Sequence, residues 1–443
     1  MSGKWLSANV ESTSQILPFK SLMNSFASHW GKREITKVEK CRICYSTDLT
    51  TFIHLGPIPI PNGFLKKSEL NFHEKSYPLD AAFCKKCGLV QLSHIIKPEI
   101  MFKNYAYVPS TSITMVDHFR ELASFAANYA KLTSEDLVVD IGSNDGTLLS
   151  IFKSKGIKIL GVDPAKNLAN KANRQGIRTI NNYFTQKAAR NILKRYGPAK
   201  VICATNVVAH VHDLHDFFEG VKLLLSKDGA FIAEFPYVLD LLSKVEFDTI
   251  YQEHLAYFSV TSFSKLVKMH GLNLVDVTRM PIHGGSLRCI VKTGHKGKNQ
   301  TVKNLLILET KKGLMNPQTY LKFASQVENL RHDLVSLLLS LRAKNKRIAG
   351  YGASAKGNII TNYCKIGPET LDYIVDSISY KQGRFTPGMH IPIYKESKLL
   401  EGKPDYVLML AWNFADSIMK RHKAFRERGG QFIIPMPEAR IVE

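Results

Sequence analysis

The chain has 443 residues, 44% of them apolar and 22% charged, with 60 lysines and arginines against 38 aspartates and glutamates. That length exceeds one ordinary core and calls for two or three domains, and the composition is that of a folded protein. No apolar run approaches the roughly 18 residues of a membrane span, which excludes a membrane helix; the net charge of +22 suits anionic partners but is dispersed and singles out none.

Residues 1–38 are Ser-rich and somewhat basic. Their apolar runs are too short for a signal peptide, and Glu11, Glu34 and Glu39 interrupt a transit pattern, so an unstructured extension is expected. Residues 39–100 carry two CxxC pairs, Cys41 with Cys44 and Cys84 with Cys87, and Gly88 suits the turn after the second. Seven cysteines is an odd number, and Cys203, Cys289 and Cys364 stand alone in apolar contexts as core residues. This usage implies a reducing, cytoplasmic setting and a structural Zn2+ held by the four paired thiolates. With every coordination position filled by sulfur, the metal is given no catalytic role.

Between residues 101 and 300, the runs "LVVDIG", "IKILGVD", "KVICATN" and "AFIAEFP" alternate with helix-length segments, the pattern of buried parallel strands. The first strand ends in "DIGSNDG". Asp140 closes it, Gly142 permits a tight turn, Asn144 and Asp145 follow, and Gly146 permits close approach to the next helix. Asp163 ends the second strand, where an acid accepts ribose hydroxyls. The GxGxxG of a dinucleotide site is absent, and carboxylates in the turn would repel a pyrophosphate while suiting a cation. S-adenosylmethionine carries a sulfonium and an ammonium, so this turn is read as its site.

Asn206, counted with the cofactor residues, and His210 lie in "ATNVVAHVHDL" after the fourth strand, where acceptor-side groups are expected. Neither the proline-rich tetrapeptide of amino-directed nucleic-acid methyltransferases nor the Pro-Cys nucleophile of cytosine C5 enzymes is present. Carbon methylation next to a ketone is another route. It needs a near-neutral base and polar groups to hold the enolate oxygen. "FDTIYQEHLAYFSV" gathers Tyr251, Glu253, His254 and Tyr257. Neighbours in a strand face opposite ways, so Glu253 and His254 converge only on a loop or a helix; on a helix, Tyr251, His254 and Tyr257 would share one side. A satisfied core histidine among packing tyrosines is the plainer alternative for this stretch taken alone.

From about residue 305 a long helix is expected, with Phe323, Val327, Leu330, Leu334, Leu337 and Leu341 as its apolar stripe. A second α/β series follows, which suggests a second Rossmann-like unit. Its first turn, "RIAGYGASAKGNII", contains Gly350, Gly352, Ser354, Lys356 and Gly357 and no carboxylate, so an anion is welcome at the helix start. A diphosphate is favoured there; a dinucleotide site or a vestigial turn are the alternatives. Lys381, Arg384 and His390 lie downstream, with structural roles equally open.

The motifs "CRIC", "CKKC", "DIGSNDGTLL", "NVVAHVHDL", "EFPY", "YQEHLAYFS", "HGGSLR", "GYGASAKGN" and "YKQGRFTPGMHIPI" occur in one order. In this the chain resembles the three-domain sugar C-methyltransferases, which methylate nucleotide-linked 4-keto-deoxysugars at C3 with S-adenosylmethionine. The resemblance covers residues 39 to 440. It implies a small zinc-binding N-terminal domain (39–100), a class I S-adenosylmethionine methyltransferase domain of Rossmann-like fold (101–300), and a Rossmann-like C-terminal domain that helps bind the nucleotide-sugar (301–443). It makes His254 the base, with Glu253 and Tyr251 beside it, His210 facing the keto-sugar, and Tyr105 or Tyr107 closing the pocket. The family often has histidine where this chain has Gln252, and glutamate where it has Asp140. An RNA-binding protein or RNA methyltransferase with a structural zinc is the competing expectation, on charge alone; a dehydrogenase and an inactive scaffold are more distant ones. Nucleic acid and membrane are not expected partners.

Overall fold

A computed structural model describes residues 34–102, 108–294 and 299–442. Tyr105 and Tyr107 lie outside the described residues.

The N-terminal module contains β1 (Ile35–Lys37), β2 (Leu49–Pro59), β3 (Ser76–Cys84), β4 (Val90–Leu92) and β5 (His94–Ile96). Strands β2, β3 and β4 form an antiparallel sheet, and β1 pairs with β5. The first CxxC precedes β2, while the second follows directly from the end of β3. Gly88 adopts φ +78° in the turn after it, as its position suggested.

The central module contributes β6 (Leu137–Ile141), β7 (Lys158–Val162), β8 (Thr179–Ile180), β9 (Ala199–Thr205), β10 (Leu225–Pro236), β11 (Ala256–Tyr257), β12 (Leu272–Met280) and β13 (Ser286–Thr293). Seven of these form one sheet in the order β12-β13-β10-β9-β6-β7-β8. Strands β6 to β10 are parallel in the 3-2-1-4-5 arrangement of a doubly wound fold. The edge departs from an all-parallel dinucleotide fold, because β13 runs antiparallel between β10 and β12. β6 is buried at all five positions, which explains its unbroken apolar run.

The last module repeats the plan with β14 (Ile348–Tyr351), β15 (Ile374–Val375), β16 (Ile393–Tyr394), β17 (Tyr406–Met409), β18 (Gln431–Ile434) and β19 (Arg440–Val442). Its order is β16-β15-β14-β17-β18-β19, again 3-2-1-4-5, with only β19 antiparallel. Two Rossmann-like sheets therefore stand in tandem, each with a crevice where the strand order reverses.

Helix Pro317–Ala343 joins them. It buries Tyr320, Phe323, Val327, Leu330, Leu334, Leu338 and Leu341; Leu337, expected in the stripe, gives way to Leu338. Asn316 caps its start and Pro317 fills the first position, which lacks an amide partner in any helix. Its apolar face lies on the zinc-bearing sheet: Tyr320 stacks on Phe83 at 4.3 Å and tilts against Phe52 at 5.2 Å.

At the first crevice the turns after β6 and β9 touch. Gly142 has φ +68°, and a Cβ there would stand 2.4 Å from Val207 Cγ2. Replacing Gly142 with Ala is expected to cost about 1–3 kcal/mol in chemical denaturation. Val207→Ala in the same chain should restore part of that loss, leaving the strain of the left-handed backbone.

Candidate active site and metal centre

The four cysteines of the CxxC pairs converge, with all four Sγ atoms within 4.8 Å of one another. Cys41 and Cys87 sulfurs are 3.3 Å apart, and those of Cys44 and Cys84 are 3.6 Å apart. Thiolates about 2.3 Å from a shared zinc stand roughly 3.8 Å from each other, so the set fits a closed tetrahedral Zn2+ site. Three of the four are buried.

The metal knuckle reaches into the central module. Arg42, buried between the first two cysteines, donates from Nη2 to the carbonyls of Val211 and His212, the latter at 2.8 Å. Its own amide donates to Gln91 on β4 at 2.9 Å. His215 Nε2 lies 3.0 Å from the Ile43 carbonyl. The segment just after His210 is thus fastened to the knuckle.

At the first crevice, Asp140 and Asp163 end adjacent parallel strands. Asp140 is buried, its Oδ1 has no hydrogen-bond partner, and burial with the nearby Asp163 charge pushes its carboxyl well above the usual range. Burial also raises Asp163, opposed by the amides of Asn144 and Ala165, each donating to it at 2.8 Å. Two desolvated acids and an open acceptor suit a cationic ligand with hydroxyls, as S-adenosylmethionine is. Asn144 and Asn206 shape the rim in left-handed conformations, and the Asn206 amide donates to the Glu234 carbonyl at 2.7 Å.

Two residues of that turn are also engaged within the protein. Asp145 accepts from the Thr147 hydroxyl at 2.6 Å and from Lys171 at 3.1 Å, so its charge is matched within the protein. The space beside Gly146 is filled by Ile177, whose Cγ2 would stand 2.8 Å from an added Cβ. The close approach is made by the protein's own core.

The acid-imidazole stretch is a turn, the loop alternative rather than the helical one. A short 3-10 turn, Phe247–Thr249, leads into residues 250–255, and Ala256–Tyr257 form β11. β11 pairs antiparallel with β4, making it the fourth strand of the zinc-bearing sheet. Glu253 accepts from Asn62 Nδ2 at 2.7 Å, and Gln252 donates to the Ile58 carbonyl at 3.0 Å. Residues flanking His254 are therefore held by the N-terminal module.

The His254 ring packs tilted against Tyr251 at 4.0 Å and His210 at 5.0 Å, with Tyr257 edge-on at 6.2 Å. Its Nδ1 lies 2.8 Å from the Thr249 carbonyl. A carbonyl only accepts, so Nδ1 carries the proton and Nε2 keeps its lone pair. Burial first, then His210 and Lys356, holds the imidazole well below its ordinary 6.5. His210 is pushed down to about 4 by burial. Both rings are neutral at pH 7.

At the second crevice the glycines serve packing. A Cβ at Gly352 would stand 2.6 Å from Ala411 Cβ, and one at Gly357 would stand 2.8 Å from Leu410 Cβ. Ser354 caps the helix Ala355–Cys364 by accepting from the Gly357 amide at 3.0 Å. Lys356 faces Glu246 and Asp248 of the central module, 3.8 and 3.9 Å away. Lys381 and His390 pair with Asp376 and Glu74, and Arg384 donates to the Tyr380 carbonyl. Sequence reasoning missed Arg42, Asn62, Glu246, Asp248 and Trp412. Asp248 stood inside the quoted "FDTI", but only the fold brings it against Lys356.

A family model described as a methyltransferase domain matches residues 116–277, one for a zinc-binding domain matches 41–102, and one for a C-methyltransferase C-terminal domain matches 281–437. C-methyltransferase NovU of Streptomyces niveus is 36% identical over 412 residues, spanning 92% of this chain and 98% of its own. The chain belongs to the three-domain C-methyltransferases. Among solved structures, an S-adenosylmethionine-dependent methyltransferase from Clostridium acetobutylicum is 14% identical over 41% of this chain and 92% of its own, with a TM-score of 0.33. The CcbJ methyltransferase from Streptomyces caelestis is 12% identical over 40% and 90%, with a TM-score of 0.31. Likeness that slight adds nothing to the assignment. This C-methyltransferase uses S-adenosylmethionine and has a four-cysteine zinc site, and no helix among its described residues is long and apolar enough to cross a membrane.

Stripping zinc with a chelator, or replacing Cys84 with Ser, should lower the melting temperature and speed amide hydrogen exchange across residues 255–257, because β11 loses its partner strand. Unchanged exchange there in metal-free protein would separate the metal from the His254 turn.

Proposed function

We propose that this C-methyltransferase acts on a nucleotide-linked 4-keto-deoxysugar, at the carbon next to the ketone, with His254 as the base. The observation that carries the reading is the His254 tautomer: Nδ1–H is fixed on the Thr249 carbonyl, leaving a neutral Nε2 among His210 and Tyr251. A buried neutral imidazole can take a proton from a carbon acidified by an adjacent carbonyl. Glu253 orients the turn through Asn62, and His210 and Tyr251 pack the ring from two sides. Tyr105 and Tyr107 remain candidates for closing the pocket.

Asp140, Gly142, Asn144, Asp145, Gly146, Asp163 and Asn206 form the cofactor side. Asp140 and Asp163 supply the charge and hydroxyl acceptors, while the others set the loop around them. Bound S-adenosylmethionine supplies an electrophilic methyl group to the carbanion-like carbon. The nucleotide end of the substrate is assigned to the second crevice, along the turn of Gly352, Ser354 and Gly357, where the order of the parallel strands reverses. A cytoplasmic setting fits the seven unpaired cysteines. The RNA-directed alternative draws on net charge alone and gives no task to the buried histidine.

Replacing His254 with Asn should leave S-adenosylmethionine binding near normal in calorimetry and cut turnover by roughly 10²–10⁴-fold; unchanged turnover would remove His254 as the base. Because the depressed imidazole stays neutral in mild acid, the acidic limb of kcat/KM should lie below 6.5. The same burial bears on stability. His210 titrates at 6.5 when unfolded and about 4 when folded, so the folded state loses stability as pH drops from 6.5 towards 4. Urea denaturation across that window measures it.

A further inference from the structure

We propose that Lys356, brought by the C-terminal module, is the cation that receives the developing enolate oxygen, a role that rests on the carbon-acid reading above. Its side chain is 14% exposed, and Nζ has no hydrogen-bond partner among the described residues. The distances of 3.8 Å to Glu246 and 3.9 Å to Asp248 are ion-pair contacts, too long for hydrogen bonds. Below it lies the Trp412 ring, 4.9 Å to the centroid. An ammonium with three N–H donors thus stands largely buried with all of them unspent.

The anions facing it are themselves fixed. Asp248 Oδ2 accepts from Trp412 Nε1 at 2.7 Å, while its Oδ1 has no partner. Glu246 is pressed against Gly284, where a Cβ would stand 2.5 Å from both carboxylate oxygens. Glu246 Oε1, Thr249 Oγ1 and His283 Nε2 also lack partners. So many unsatisfied buried polar atoms around one lysine are costly unless an oxygen-rich ligand satisfies them. The same four-residue turn that presents Glu246 and Asp248 ends in Thr249, whose carbonyl orients His254. Cation and base are therefore set by one stretch of backbone.

In the step, Nε2 of His254 takes the proton and the C–H pair becomes the new C=C bond. The carbonyl pair moves onto oxygen, which Lys356 holds while keeping its own proton. The oxygen is neutral in the ketone and anionic only as the proton leaves, so the contact strengthens on the way to the transition state.

The test follows deuterium uptake from D2O into a thymidine-diphosphate-linked 4-keto-6-deoxyhexose, using the full chain without S-adenosylmethionine. The variants are Lys356→Met, Lys356→Arg and the double variant Lys356→Met/Asp248→Asn, which also removes the anion left unpaired. Expected is a roughly 10²–10³-fold fall in kcat for exchange in Lys356→Met, with KM within about threefold and partial recovery in Lys356→Arg. The acidic limb should move up towards 6.5, because a charge opposing protonation of His254 is gone; a merely structural lysine would not move it. Exchange within about threefold of wild type, in Lys356→Met or in a folded double variant, overturns the proposal, as does a loss confined to KM. Absence of exchange in the wild-type protein instead overturns the carbon-acid reading itself.

Discussion

Pairing of β11 with β4 is the contact on which the candidate active site depends. A histidine on a turn has no intrinsic order, and fixing each such residue costs about 1–2 kcal/mol of backbone entropy. Here the order is imposed from outside. The zinc-bearing sheet adopts Ala256 and Tyr257 as a strand, Asn62 and the Ile58 carbonyl take Glu253 and Gln252, and the C-terminal module meets Asp248 through Trp412. Three modules close on the ten residues from Asp248 to Tyr257.

This arrangement lets a metal with no open position help shape the candidate active site without chemistry at the ion. Zinc sets the knuckle, the knuckle places Arg42, and Arg42 fixes the carbonyls immediately after His210. The electrostatics divide in the same way. The first crevice gathers two desolvated acids, Asp140 and Asp163, and suits a cationic ligand; the second brings the Lys356 ammonium against the carboxylates of Glu246 and Asp248. Burial drives Asp140, Asp163 and the His210 and His254 imidazoles towards their neutral forms.

Much of the fold was legible in the sequence. The four apolar runs of the central module are β6, β7, β9 and β10, the second α/β series is a second 3-2-1-4-5 sheet, and the two CxxC pairs meet. These features are local in sequence or follow from period and spacing. What stayed hidden depends on distant partners. A stripe read by steps of three and four placed Leu337 inside, but the surface covering the helix selects Leu338. Asp145 looked like an open charge until Lys171 folded against it, and Gly146 like a ligand approach until Ile177 filled the gap. The Tyr251–Tyr257 stretch carries a helix-like spacing, yet β4 draws its end into a strand. Lys356 sits in a glycine-rich turn that invites an anion, and only the docking of the modules shows which group it faces.

Glu309, in the helix Gln300–Lys311, is buried, and its carboxylate collects the Tyr237 hydroxyl, the Val260 and Thr261 amides and the Thr261 hydroxyl. It thereby seals the exposed amides at the start of the helix Val260–Met269 with a negative charge. This rivets the connecting helix to the central module, just as Tyr320 and Phe323 glue its successor to the zinc-bearing sheet. Any swing of the last module must then pivot beyond Ala343, around the left-handed Asn345. Such a swing would draw Trp412 and Lys356 off Asp248 together, undoing contacts that the last module makes with the turn before His254.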